Sequence, residues 1–296
     1  MSRSPFLIAA LLVSAGAAAA APIVDGSIAG DGYGNALSVQ AVQTQFGDNL
    51  SELNAAYATI DAGRLFLAFT GNIEDNFNKF EIFIDSQAGG ENTLSGSPGN
   101  DGAGNMAGLT FDAGFEADYH FIARRGFDGA TNRFDLDFAA LGTPDFSQYF
   151  DIFGGTQEGS GVTGTGLNAF PIEVGYDNSN VAGILGGTGA ADQAAALAVT
   201  TGLELSIDLA DLGSPVGDFK VLIFVNNSDH NFASNQFLGP LAPPQGNLGG
   251  DGLGNFTGTI NFNLNDFAGE QYFVVPAPSA AALLGVGGLT LLRRRR

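Results

Sequence analysis

Along this chain apolar residues recur most clearly with a period of two. Phe134, Leu136 and Phe138 alternate with Arg133, Asp135 and Asp137, and Leu203, Leu205, Ile207 and Leu209 alternate with Glu204, Ser206 and Asp208. Ile260, Phe262 and Leu264 alternate with Asn261, Asn263 and Asn265. Successive strand side chains point to opposite faces, so each pattern predicts a strand with one buried and one wet face. Residues 65–69 and 221–225 are apolar on both faces and predict central strands; in 79–85, Phe80, Ile82 and Ile84 oppose Glu81, Phe83 and Asp85. Asp61-Ala62-Gly63 between 57–60 and 65–69 has the composition of a hairpin turn. Further strands are expected at 118–124 and 172–176. One short helix is expected over 190–199, an Ala-rich run that Thr200-Thr201-Gly202 ends. The Gly-rich stretch 154–166 reads as flexible, with strand signals continuing on both sides. The whole predicts an all-β fold, an antiparallel β-sandwich with one short helix, as a single domain over 21–274.

The two ends depart from this pattern. Met1-Ser2-Arg3-Ser4 is a short cationic start, 6–13 an apolar run, and 17–21 small residues. That is the layout of a signal peptide, 1–20, whose apolar run forms a helix too short to span a bilayer. Pro22 directly after a cut would hinder a signal peptidase, which places cleavage between Ala20 and Ala21. At the other end Val275-Pro276-Ala277-Pro278 breaks regular structure, 279–292 carries no charge, and Arg293, Arg294, Arg295 and Arg296 close the chain. A helix of about 15 residues reaches only ~22 Å, short of a ~30 Å hydrocarbon core. The arginines would stay cytoplasmic, so the segment 275–296 has the properties of a temporary membrane anchor.

This tail resembles the PEP-CTERM sorting signal of exported bacterial proteins, with Ala277 standing where that family carries an acidic residue. The resemblance implies processing near the Pro-rich motif by an exosortase-type transpeptidase, and a body held at the cell envelope or surface or released outside the cell.

Charge sharpens the picture of the body. The formal net charge is −20, but Arg3 and the four terminal arginines lie in the two end segments. The body therefore sets six basic residues against all 31 acidic ones. Such a surface repels phosphate backbones, which argues against nucleic-acid binding, and it suits solubility outside the cell and attraction of divalent cations. With no Cys, disulfides and thiolate chemistry are excluded, and the body rests on apolar burial.

Within the body, Val24-Asp25-Gly26, the run 80–85 followed by a Gly-rich loop and Ala117-Asp118-Tyr119, and 201–209 followed by Leu212-Gly213 resemble, in order, the DOMON-like and family-nine carbohydrate-binding-module superfamily. That resemblance implies a jelly-roll-like antiparallel sandwich and a role in binding sugar or haem. The two Met and two His show no pairing that suits haem, and Trp, the usual sugar-stacking residue, is absent.

Candidate chemistry is sparse. Asp-Gly-x-Gly-Asn occurs at 31–35, 101–105 and 251–255. These residues suit tight turns, since Asp and Asn tolerate and Gly prefers left-handed geometry; calcium also favours such oxygens. Asp85, Asp101, Asn105, Asp112 and Asp118 are the candidate calcium ligands around the second copy. Asn226, Asn227, Asp229, His230, Asn235 and Gln236 follow an apolar strand and could hydrogen-bond sugar hydroxyls, with Phe232 or Phe237 stacking; alternatively they satisfy their own backbone. His120 reads as structural, and two His cannot build a His-rich zinc site. No Gly-x-Ser-x-Gly, P-loop or His-Glu-x-x-His motif is present. The expected function is an exported, non-enzymatic surface or matrix module contacting polysaccharide, with calcium as the candidate cofactor. Signal peptidase and the processing enzyme are its expected partners, and the membrane is engaged through the C-terminal helix at least transiently. A purely structural surface protein and a polysaccharide hydrolase are the alternatives.

Overall fold

The computed structural model describes residues 20–277. The expected signal segment up to residue 19, and the expected apolar helix after Ala277 with Pro278 and Arg293 to Arg296, lie outside the described residues. Among the described residues no helix is long and apolar enough to cross a membrane.

The chain forms two antiparallel sheets. The strands are β1 (Ser38–Val39), β2 (Glu52–Asp61), β3 (Arg64–Asn72), β4 (Asn76–Asp85), β5 (Tyr119–Phe127), β6 (Asn132–Ala140), β7 (Phe146–Tyr149), β8 (Gly159–Val162) and β9 (Glu173–Tyr176). A helix, α1 (Gln193–Ala198), then precedes β10 (Gly202–Asp208), β11 (Phe219–Asn226), β12 (Ala233–Leu238) and β13 (Phe273–Val275). The first sheet has the order β1-β2-β3-β10-β9-β8 and the second β12-β11-β4-β5-β6-β7. β13 pairs with Phe219, Lys220 and Val221 of β11, and β12 with Ile223, Phe224 and Asn226, so the two share one edge end to end. Val275, the first residue of the predicted sorting motif, is therefore a buried strand residue of the second sheet, and the Ala277 N–H donates to Asp218 at 2.8 Å.

The β2–β3 hairpin closes at the Asp61–Arg64 pair. Its two loop residues, Ala62 at φ 49° and Gly63 at φ 84°, both have the positive φ that a type I′ turn demands, and this turn matches the strand twist. Between the sheets lies the main core. Leu65, Leu67 and Phe69 of β3 and Leu203, Leu205 and Ile207 of β10 face Phe80, Ile82 and Ile84 of β4, Phe134, Leu136 and Phe138 of β6, and Val221 and Ile223 of β11. Each such side chain contributes roughly 1.5–3 kcal/mol on burial. These are the apolar sets picked out by the period-two pattern.

The outer faces differ from the sequence expectation, because they are covered too. On the first sheet the segment before β1 brings Tyr33 over Ala55, Tyr57, Phe66 and Ala68. On the second, the long β4–β5 and β12–β13 connections form another core: Leu94, Met106, Leu109, Phe111, Leu248, Ile260, Phe262 and Leu264 pack on Phe83, Ile122, Leu222 and Phe224. The polar faces of β6 and β10 are consequently not wet: Asp135, Asp137, Glu204 and Ser206 are all buried. Residues 260–265 bury their alternate side chains as expected but form no strand. Their backbone is taken up by loop partners instead, Ile260 N–H donating to Asn105 O, Asn261 to Gly250 O and Leu264 to Thr110 O. The expected helix is shorter than 190–199 and starts where Asp192 caps the N–H groups of Ala194 and Ala195. The stretch expected to be flexible, 154–166, contributes β8, an edge strand.

Candidate functional site

The largest concentration of charge lies under the loops on the outer face of the second sheet. Strand alternation turns Lys79 and Glu81 of β4, His120 and Arg124 of β5, Asp135 and Asp137 of β6 and Asn226 of β11 to this face, and the register sets Lys79 beside Arg124, and Arg124 beside Asp135. Glu81 is the hub. Its carboxylate meets His230 Nδ1 at 2.7 Å and His120 Nε2 at 2.9 Å and accepts from Asn226 at 3.0 Å. The other nitrogen of His230 reaches Asp101 at 3.1 Å. Asp101 also pairs with Lys79 Nζ at 2.7 Å and Arg124 Nε at 3.3 Å, and Arg124 continues to Asp137 at 2.8 Å. Asn100 and Gln148 each donate to Asp137, at 2.8 and 2.9 Å.

Local backbone geometry delivers the two residues that come from loops. Asp101 and Gly102, at φ 54° and 95°, interrupt a 3₁₀ segment over Asn100–Met106 and aim the Asp101 carboxylate down at the sheet. His230, at φ 55°, sits in the turn between β11 and β12 with its N–H donating to Asn227 O. The second Asp-Gly-x-Gly-Asn copy is thus a lid clasp. The third is a plain Asx turn, Asp251 accepting from the N–H groups of Leu253 and Asn255. In the first, Asp31 accepts from the Ile23 N–H at 3.3 Å.

Four carboxylates (Glu81, Asp101, Asp135, Asp137) share this array with the fixed cations Lys79 and Arg124, and Arg133 joins it through Asp135 while also pairing with Asp128. Burial disfavours the His230 imidazolium, but the Glu81 charge and hydrogen bonds to Asp101 and Glu81 outweigh burial and raise His230 above its usual range. Burial likewise opposes ionised Asp101, yet the His230 hydrogen bond and the Arg124 and Lys79 charges hold it at about 2. The same contest, with both imidazoles on the winning side, keeps Glu81 below the usual carboxylate range. For Asp135, burial prevails and pushes it up.

The centre of the array is buried. Glu81 is fully buried, and His120 and His230 nearly so. The void beside His120, lined by Leu94, Met106 and Leu141 among others, holds about 10 Å³, room for one water at most. Only the margins of the array, Asp101 and Arg133, keep side-chain exposure, 21% and 26%.

The five candidate calcium ligands do not converge. Asp101 is taken by cations, Asn105 donates to Asp229 O at 2.8 Å, and Asp85 pairs with Lys220 at 3.2 Å. Asp112 accepts from Gln271 N–H at 2.6 Å and Asp118 from Ser86 and Gln87 N–H. Among the described residues no group of three or more His, Asp or Glu is placed to hold a metal ion.

The candidate sugar loop is also divided. Asn226 and His230 belong to the array, Asn227 bonds Asn231 and the Phe232 N–H, and Asp229 stays exposed. Asn235 and Gln236 lie on β12, fully buried; Asn235 donates to the carbonyls of Gln43 and Gln245, and Gln236 accepts from Gln40. Phe237 is buried against Phe224, with ring centroids 4.8 Å apart, so it cannot serve as a stacking platform. These amides satisfy loop backbone that would otherwise be buried without partners.

Two features went unrecognised in the sequence. Glu204 takes the backbone N–H groups of Asp25 (3.0 Å), Gly26 (2.7 Å) and Ser27 (3.0 Å) and the Tyr33 hydroxyl (2.8 Å), clamping the segment that follows the predicted cleavage point. The second is the treatment of cations. Arg64, Lys79, Arg124, Arg125, Arg133 and Lys220 each pair with a carboxylate; Lys79, Arg124 and Arg125 are buried and the other three only partly exposed, so the outer shell of the described body is predominantly acidic.

No protein-family model matches the chain, and neither a curated protein nor a solved structure matches it.

Proposed function

We propose that this chain is an exported, non-enzymatic β-sandwich, sorted through the envelope by its C-terminal segment and acting at the cell surface or in extracellular polymer by contact with polysaccharide. The observation that carries the reading is the division of charge. Every basic residue of the described body is drawn into a carboxylate pair, Glu81, His120 and His230 are buried beneath loops, and the charge that faces outward is acidic, among neutral-polar side chains and scattered exposed apolar ones such as Phe150 and Phe256. Such a shell keeps a rigid module soluble and suits contact through hydroxyl-bearing, uncharged polymer. Calcium enters this reading as a diffuse counter-ion of the shell. Retention of the secreted protein on the producing cells' own polysaccharide, with calcium or with chelator, tests the binding; N-terminal sequencing and intact mass of the secreted form test the export, with Ala21 as the expected first residue and a mass lacking Arg293 to Arg296.

The second reading, a structural surface protein with no saccharide ligand, is favoured by one observation: the loop amides at 226–236 are committed to internal hydrogen bonds. Failure of retention under both conditions selects it.

A further inference from the structure

One end of the second sheet combines exposed aromatic rings with an open polar depression. Here β4 begins, β5 ends, β6 begins and the loop after β7 returns. The Arg133 guanidinium lies between two rings, 5.4 Å from the centroid of Phe77 and 5.4 Å from that of Phe150, with Arg124 5.9 Å from Phe150. Despite this stacking Phe150 remains 54% exposed, and Phe127 at the end of β5 is 57% exposed. Beside them a depression of about 360 Å³ is lined by Asn132, Gly155, Thr156, Gln157 and Glu158, within the size range of small-ligand sites, roughly 300–1,000 Å³.

The parts are braced. Arg133 is held by Asp128 at 2.8 Å and Asp135 at 2.9 Å, Gln157 donates to Asp75 at 3.3 Å, and Glu158 meets Arg125 at 3.6 Å. The Asp151 N–H, next to Phe150, donates to Asp135 at 2.9 Å. Phe77 sits at φ 64°, a conformation that a bulky side chain rarely adopts, in a bulge between Asn76 and Lys79. Its ring lies directly on Gly126, where an added Cβ would come within 2.6 Å of it. A strained residue kept in place by its surroundings is common at binding sites.

We propose that this end of the sheet is a saccharide subsite, resting on the polysaccharide reading above. The Phe150 face supplies the apolar platform, Asn132 and Gln157 supply amide donors and acceptors, and Glu158 and Asp75 accept from hydroxyls. Charge selects the ligand further. Asp75, Asp128, Asp151 and Glu158 rim the site and outnumber its two cations, Arg133 and Arg125, both of which are already engaged by carboxylates, so a uronate or sulfated chain is disfavoured and a neutral chain is taken.

Affinity electrophoresis of the protein through gels containing a soluble neutral glucan, mannan or galactan, or alginate as the anionic polymer, tests this. Retardation by at least one neutral polymer and not by alginate is expected. Phe150→Ala and Gln157→Ala should each weaken that retention by about tenfold, equal to about 1.4 kcal/mol, with unchanged melting temperature. Gly126→Ala, which displaces the Phe77 ring, should weaken it as well. Phe256→Ala, an exposed ring elsewhere, should have no effect. Retention on a neutral polymer that Phe150→Ala and Gln157→Ala leave intact overturns the subsite while the polysaccharide reading stands. Retention on alginate overturns the neutral selectivity. No retention of the parent chain on any polymer removes both.

Discussion

His230 bridges Glu81 and Asp101, its two ring nitrogens 2.7 and 3.1 Å from the two carboxylates, with His230 and Glu81 fully buried. One imidazole thereby ties the central strand β4 to the 3₁₀ lid over Asn100–Met106 and to the β11–β12 turn. Removing one member of a buried ion network leaves its partners uncompensated, which typically costs about 3–5 kcal/mol. Glu81→Gln and His230→Ala should each lower the unfolding free energy by about that amount. Urea denaturation checks this, and a change below about 1 kcal/mol would show that the array holds little.

The array also sets a pH window. His230 is raised in the folded state, so its contribution is complete below its unfolded value of about 6.5 and is lost as pH rises through the folded value. Asp101, held at about 2, and Glu81, also lowered, contribute fully above about pH 4–4.5 and lose that contribution as pH falls. Thermal denaturation from acid to alkaline pH should show greatest array-dependent stability between about pH 4.5 and 6.5. His230→Gln should flatten the alkaline arm, and an unchanged arm would place its origin elsewhere.

Glu204 predicts a local effect. Its carboxylate collects three backbone N–H groups and a hydroxyl, partners that no other side chain supplies to Asp25, Gly26 and Ser27 together. Glu204→Ala should cost about 2–4 kcal/mol, with the loss concentrated at the N-terminal segment. Hydrogen exchange at 25–33 should accelerate well beyond that of β4; uniform acceleration would mean that the clamp and the core open as one unit.

Calcium should leave no site-specific signature. With Asp85, Asp101, Asn105, Asp112 and Asp118 each bound to different partners, the melting temperature should rise without saturation as calcium is added, as for screening of a charged surface. A saturable shift at micromolar calcium would require ligands that these residues do not provide together.

The sandwich was legible because its inner faces obey a two-residue period in 134–138, 203–209 and 80–84, and because Asp61-Ala62-Gly63 has the chemistry of its turn. What sequence could not convey was the covering of the outer faces. Alternation of Asp135 and Asp137 with phenylalanines looks the same whether those carboxylates face water or Arg124 and Asn100. For the same reason the Asn- and His-bearing run after β11 resembled a ligand loop: its amides bond to Gln40, Gln43 and Gln245, two of them nearly two hundred residues away in sequence. The Phe77–Arg133–Phe150 stack joins three distant segments, and its one local trace, a bulge at Phe77, leaves no mark in the residue pattern.

The most direct test is retention of the purified protein on neutral extracellular polysaccharide from the producing cells, with calcium or with chelator, while soluble reducing ends are assayed in the same mixture. Retention under both conditions with no release of sugar is expected. Release of reducing ends, or no retention under either condition, would contradict the proposed function.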